Sequence, residues 1–159
     1  MFERFKTDAR VVILDAMQEA RVRADPKIEA EHLLLALTQR SPSDAGRVLV
    51  GVGLDHDQLR SALDEGVHRT LEAVGVAVRL PDSTLPMAGQ PSWGESAKAA
   101  LRRASMIAKD RGNRHLNPSH ILLGVLHARE GTVPRTLAAA GVDRRELAER
   151  VEETIGRAR

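Results

Sequence analysis

Apolar side chains recur along this chain at helical rather than alternating spacing. Val12, Ile13, Ala16 and Ala20 fall on one face of a helix over about 8–23, and Leu101, Ala104, Ile107 and Ala108 do the same over about 95–111. Apolar runs predict second helices over about 29–40 and 117–128. The later one opens with Asn117-Pro118, a capping residue followed by proline at the first helical position. Third helices follow over about 44–52 and 132–140, opening at Asp44 or Thr132. They end at Gly53 and Gly141, where glycine suits a left-handed C-cap. Fourth helices start at Asp55 and Asp143, and Glu146 three residues after Asp143 completes the pattern of a capping box. Between the two sets lies 67–92. Its Val76–Leu80 stretch extends the preceding helix or forms a short extended piece. Residues 81–92, with Pro81, Pro86, Gly89 and Pro91, read as an exposed linker. The class is all-α, with eight helices.

The two sets are copies of one another. Sliding the chain by 88 residues places Ala9 on Ala97, Ala16 on Ala104, Ala20 on Ala108 and Arg23 on Arg111. It also places His32 on His120, Leu34-Leu35 on Leu122-Leu123 and Gly53 on Gly141. Residues 9–55 and 97–143 share 11 identities in 47 ungapped pairs, well above random pairing of this Ala-, Arg- and Leu-rich composition. An internal duplication follows.

Composition narrows the function classes. The chain has 159 residues, enough for one domain or two small halves sharing a core. Lys and Arg number 24 against 22 Asp and Glu, a balance that argues against a dedicated polyanion binder. Aromatics are limited to Phe2, Phe5 and Trp93, which leaves few stacking platforms for single-stranded nucleic acid. With no cysteine, disulfides and thiolate chemistry are excluded. No apolar run approaches the roughly 20 residues of a membrane span. Met1-Phe-Glu-Arg-Phe5 has no signal-peptide pattern, so a cytoplasmic location is the default expectation.

Candidate chemistry is sparse. His32 and His120 occupy duplicated positions at helix starts and read as histidines bonded to backbone there. His115 and His127 add no His-Glu-x-x-His zinc pattern. No serine lies in a nucleophile elbow, and no carboxylate pair marks a pocket. Met17, Met87 and Met106 read as gap-fillers or linker residues. Arg102-Arg103 and Arg144-Arg145 read as solvated helix faces. Phe5 and Trp93 are equivalent under the 88-residue shift and read as plugs of the two bundles; Trp93, like the unmatched Phe2, also suits an exposed binding anchor. A non-enzymatic protein is the leading expectation. The alternatives are a small metal-dependent hydrolase built on the histidines and a helical DNA-binding regulator.

Met1-Phe-Glu-Arg-Phe5, together with Ala30-Glu-His-Leu-Leu-Leu-Ala-Leu37 and its second copy Pro118-Ser-His-Ile-Leu-Leu-Gly-Val125, resembles the N-terminal domain of the ClpC/ClpA unfoldases. The resemblance implies one domain over 1–159, a pseudo-twofold tandem of two four-helix units. Repeat one would cover about 1–66 and repeat two about 93–156, joined by a linker over about 67–92. It implies a binding module without cofactors that takes peptides, adaptors, clients or ClpC-directed cyclic-peptide antibiotics. The Clp unfoldases carry ATPase modules, but this sequence has no Gly-x4-Gly-Lys-Ser/Thr loop and stops at Arg159. A freestanding decoy, or an adaptor of the Clp protease system with ClpC as partner, is therefore expected. The implied cyclic-peptide groove uses Met1, Phe2, Trp93, Lys98 and Leu101, with Arg102 and Ser105 standing where the family has an acid and a leucine. A phosphoarginine site would use Glu31, with Lys6 and Thr7 near the threonine position. In the second copy these positions hold Ser119 and Gly94, and a serine cannot offer a guanidinium the paired acceptors of a carboxylate.

Overall fold

Helix α1 (Thr7–Val22) buries Ala9, Val12, Ile13, Ala16 and Ala20, the face its spacing predicts. The structure, a computed structural model, describes residues 5–39, 43–75 and 89–157. The described helices that follow are α2 (Ala30–Gln39), α3 (Asp44–Gly51), α4 (His56–Ala73), α5 (Glu95–Asp110), α6 (Pro118–Leu126), α7 (Thr132–Ala139) and α8 (Arg144–Arg157). Helix α4 runs on past residue 67, where the linker reading begins, and the Val76–Leu80 stretch and Met87 lie outside the described residues.

Local chemistry sets most of the helix ends. The Ser43 side chain accepts from the Gly46 N–H at 3.0 Å and starts α3. Asp55 starts α4 through a reciprocal capping box with Gln58. The box predicted for the second copy does not form. Asp143 accepts from the Arg145 and Glu146 N–H groups, but the Glu146 side chain turns outward to Arg150 at 2.7 Å. Asn117 caps α6 with Pro118 next, as predicted. Gly53 (φ 80°) and Gly141 (φ 73°) end the third helices in the left-handed conformation.

Helices α2 and α6 form the centre. Their apolar residues surround the helix instead of marking one stripe, and such a helix is stable only when covered on all sides. Leu33, Leu34, Leu35 and Leu37 of α2 and Ile121, Leu122, Leu123 and Leu126 of α6 are fully buried. Each contributes roughly 1.5–3 kcal/mol relative to exposure. The two helices pack on each other; α1 and α5 each lie across both, while α3, α4, α7 and α8 contribute the remaining contacts. A Cβ on Gly124 would overlap the Ala100 carbonyl oxygen, so α6 crosses α5 at the distance only glycine permits.

The repeats are joined crosswise. Strand β1 (Lys27–Ile28), just ahead of α2, pairs in parallel with β2 (Ser92–Trp93), just ahead of α5. Phe5, ahead of α1, pairs in parallel with Leu116, ahead of α6. The 88-residue shift converts one pairing into the other, so the lead-in to each repeat's first helix is tied to the lead-in to the other repeat's second, while the helix bodies pack chiefly within their own repeat. This overturns the reading of 81–92 as wholly exposed linker: Pro91 is buried and Ser92 is hydrogen-bonded to Pro26. The symmetry extends to ion pairs, with Arg23 to Asp64 at 2.8 Å matched by Arg111 to Glu152 at 3.6 Å. One cluster breaks it. Glu19, buried on α1, accepts from Gln39 and contacts His56 Nε2 at 2.6 Å, pinning the head of α4. Repeat two has Ile107, His127 and Arg144 in those places.

Candidate binding surface

The crossed joint decides what surrounds the head of α5. Gly94 occupies its N-cap without a side chain, and a Cβ there would overlap the Glu29 carboxylate. Glu29 does the capping from the other repeat, accepting from the Ser96 N–H at 3.1 Å and from the Ser96 hydroxyl. Ser96 Oγ in turn accepts from the Ala30 N–H at 2.9 Å. Neither Glu29 nor Ser96 was singled out from sequence. The available signal was Gly94 at a helix start that offers no cap of its own.

The residues expected to line a groove are distributed as follows. Trp93 is half-buried, its backbone in β2 and its side chain against the core. Lys98 lies one turn along α5, partly exposed, with Nζ 3.1 Å from Glu95 Oε1; that bond holds the Glu95 carboxyl below its ordinary range. Leu101 is 5% exposed and belongs to the core. Phe5 is buried as a plug. Met1 and Phe2 lie outside the described residues. Arg102 is exposed, but Arg103 is not the solvated residue expected. It reaches across to α6 and donates Nε–H to the Gly124 carbonyl at 2.8 Å. Arg144 likewise donates to the Leu126 carbonyl at 2.5 Å, so the two arginines cap the free end of α6. Met106, read as a gap-filler, is 64% exposed, whereas Met17 does pack against the core.

Glu31 stands in the first turn of α2, half-buried. It lines a cavity of about 310 Å3 with Glu29, Ser96, Glu130, Thr132 and Pro134. Burial pushes its carboxyl above the ordinary value, partly offset by a backbone hydrogen bond and by His32. Lys6 and Thr7 line a different, open hollow of about 520 Å3 with Phe5, Asp8, Arg10 and His115. These two sets share no residue, because the crossed joint seats the head of α1 beside Leu116 and the head of α5 beside Glu29 and the start of α2. Ser119 is buried at 5% exposure. A larger hollow of about 900 Å3 lies between α4 and α7, with Leu63, Val67 and Leu71 on one wall and Arg135 and Thr136 on the other.

The duplicated histidines hold helix starts, as their position suggested. His32 Nδ1 accepts from the Glu29 N–H at 2.9 Å, and its Nε2 faces Asp25 at 2.8 Å. His120 Nδ1 accepts from the Asn117 N–H at 3.1 Å, with Asn113, the counterpart of Asp25, 3.3 Å from Nε2. Nδ1 as acceptor places the proton on Nε2, so the Asn113 amide must turn its oxygen toward it. Burial, then Arg111 and Lys6, pushes His120 below its ordinary value. Both nitrogens of each ring are engaged, which leaves no lone pair for a metal. Among the described residues no three His, Cys, Asp or Glu side chains converge on a metal position, and no helix is long and apolar enough to cross a membrane.

Fold and site together define an all-helical tandem repeat whose two four-helix units share one core. The Clp repeat (R) N-terminal domain family matches residues 4–84 and 93–159, and the chain belongs to that family. It is 28% identical over 156 residues to the chloroplastic chaperone ClpC1 of Oryza sativa subsp. japonica, and equally so to the chloroplastic ClpC of Pisum sativum. These alignments cover 98% of this chain but 16% of either relative. Among solved structures, the N-terminal domain of the ClpD chaperone from Arabidopsis thaliana superposes with a TM-score of 0.75 at 19% identity, covering 98% of this chain and 97% of that one. The Hsp104 N-terminal domain from Candida albicans follows the same fold, with a TM-score of 0.69 at 19% identity and coverages of 97% and 93%.

Proposed function

We propose that this Clp repeat domain is a docking module that takes peptide segments of adaptors or client proteins, or ClpC-directed cyclic peptides, at the outer faces and heads of α1 and α5. The observation that carries the reading is the family match to both repeats, across the crossed joint that seats those two heads. A ClpV N-domain of similar fold, with a TM-score of 0.58 at 18% identity, forms a complex with a VipB peptide. In this reading Trp93 and Lys98 contribute the anchor and the polar edge on the α5 side, Leu101 supports them from beneath, and Met1 and Phe2 complete the site. The partly buried Glu31 carboxylate, in a cavity shared with Glu29 and Glu130, favours a second, smaller role as acceptor for a ligand guanidinium.

Titration calorimetry with a ClpC-directed cyclic peptide tests the docking role. Wild type is expected to bind, and Phe2→Ala and Trp93→Ala are each expected to weaken binding by more than about 1 kcal/mol. Tight binding without any effect of Clp protease components supports a decoy. A complex with ClpC and faster client degradation supports an adaptor. A folded domain that binds neither cyclic peptide, Clp partner nor client contradicts the docking role.

A further inference from the structure

The heads of α2 and α5 cap each other. Glu29 directly precedes α2, yet its carboxylate accepts from the Ser96 N–H and hydroxyl in the first turn of α5. Ser96 Oγ accepts in turn from the Ala30 N–H, the first of α2, at 2.9 Å. The pattern is that of a capping box whose two halves come from different repeats. A carboxylate at a helix N-terminus also complements the helix dipole, and a charge-assisted bond is stronger than a neutral one. Gly94 deepens the dependence. Its extended backbone (φ −83°, ψ 165°) suits any residue, but it has no side chain to cap with, and the Glu29 carboxylate fills the space a Cβ would need.

The other joint is built without this exchange. Its backbone ties are equivalent: Lys6 N–H to the Leu116 carbonyl at 2.9 Å matches Gly94 N–H to the Ile28 carbonyl at 2.9 Å. The 88-residue shift puts Asn117 in the place of Glu29, Asp8 in that of Ser96 and Pro118 in that of Ala30. Asn117 caps its own helix, α6, through the His120 N–H, and Pro118 has no N–H to give. The head of α1 has no side-chain cap. The repeat architecture therefore does not require the Glu29–Ser96 exchange. What sets the head of α5 apart is what it carries: Trp93 lies one residue before Gly94, and Lys98 two residues after Ser96, with its Nζ on Glu95. The first N–H groups of a helix have no partner within it, so a first turn left uncapped frays.

We propose that Glu29 is a positioning residue of the docking surface: from repeat one it holds the first turn of α5, and with it Trp93 and Lys98, in the orientation the ligand meets. This rests on the docking role above and adds the residue that orders its α5 side. Glu29 does so without touching a ligand bound at Trp93. It keeps the binding-competent arrangement populated, since an anchor that is correctly placed only part of the time binds in proportion to that fraction. The pairing of β1 with β2 fixes where the chain crosses between repeats, and the carboxylate fixes the direction in which α5 leaves. Leu101, further along α5, is held by the core, so the effect of losing Glu29 is confined to the head.

Trp93 is the only tryptophan, so its emission reports on the head of α5 without any ligand. The whole chain is compared as wild type, Glu29→Ala, Glu29→Ala with Gly94→Ser, and Ser43→Ala. Gly94→Ser places a capping side chain in the space that loss of Glu29 opens, and Ser43→Ala removes the cap of another helix, α3. Glu29→Ala and Ser43→Ala are each expected to lower the melting midpoint by about 2–4 °C. Glu29→Ala is also expected to raise acrylamide quenching of Trp93 and to weaken a ClpC-directed cyclic peptide about fivefold or more in calorimetry. Adding Gly94→Ser is expected to restore the midpoint but neither the quenching nor the affinity, because a cap made within α5 does not reach α2. Ser43→Ala is expected to move neither. Restoration of all three by Gly94→Ser overturns the proposal and leaves Glu29 a cap alone. Quenching and affinity unchanged in Glu29→Ala overturn it as well, and both results leave the docking role standing. A folded wild type that binds neither the cyclic peptide nor a Clp partner or client removes the docking role and overturns the proposal with it.

Discussion

Gly124 is the residue on which the α5–α6 crossing depends. Alanine is the better helix former by about 1 kcal/mol, yet its methyl group would meet the Ala100 carbonyl, a backbone atom that cannot step aside. Gly124→Ala is expected to lose roughly 1–3 kcal/mol in urea unfolding, and a gain in stability would show that the crossing is looser than described. Two titratable residues pull in opposite directions with pH. His120 favours its neutral form when folded, so the unfolded chain binds the proton more readily. Its stabilising contribution is complete above its ordinary value of 6.5 and falls as acidification protonates the ring. Glu31 is the reverse. Its folded value lies above the ordinary 4.5, so the ionised carboxylate costs stability at neutral pH, and that cost disappears as pH falls through its raised value toward 4.5. Glu31→Gln is therefore expected to raise the unfolding midpoint at pH 7 and to change it little at pH 4. An equal gain at both values would show that its charge is not the cause.

At the scale of elements, what the sequence made legible was whatever depends on neighbours along the chain. The apolar spacing of Val12, Ile13, Ala16 and Ala20, the Asn117-Pro118 start and the Gly53 and Gly141 stops all appear where read. What escaped depends on groups brought together by packing. Arg103 and Arg144 look like surface residues in one dimension, and only the approach of α5 and α8 to the end of α6 turns them into caps. The capping box moved from Asp143 to Asp55 because Glu146 found Arg150 one turn on, whereas Gln58 had no such competitor. For the site, Trp93 and Lys98 stand near the surface at the head of α5, but Glu31 and the Lys6–Thr7 pair line separate hollows, since the exchange of partners between repeats leaves no periodic trace. The clearest consequence is the cap that Glu29 supplies to α5. Glu29→Ala is expected to cost about 0.5–2 kcal/mol in unfolding free energy. Combined with Ser96→Ala the losses should fall short of additive, because both substitutions break one network. Strict additivity would show that the cap and the Ser96 hydroxyl act independently.

At the scale of the molecule, crosswise seating makes the two repeats one folding unit. α2 and α6 are apolar all round, and each covers part of the other. A fragment ending at residue 75 would expose one side of α2 and leave β1 without its partner, so it is expected to lack a cooperative thermal transition alone and to regain one when mixed with residues 89–159. A fragment that melts cooperatively as a monomer would contradict the shared core. The same seating sets the heads of α1 and α5 against second helices from opposite repeats, which is the framework the docking role uses. NMR shift mapping tests that role most directly: backbone amides of the whole chain are followed while a ClpC-directed cyclic peptide is titrated in. Changes concentrated on Arg10–Val22 and Trp93–Lys109 are predicted. Changes confined to the hollow between α4 and α7, around Val67, Leu71 and Arg135, would contradict it.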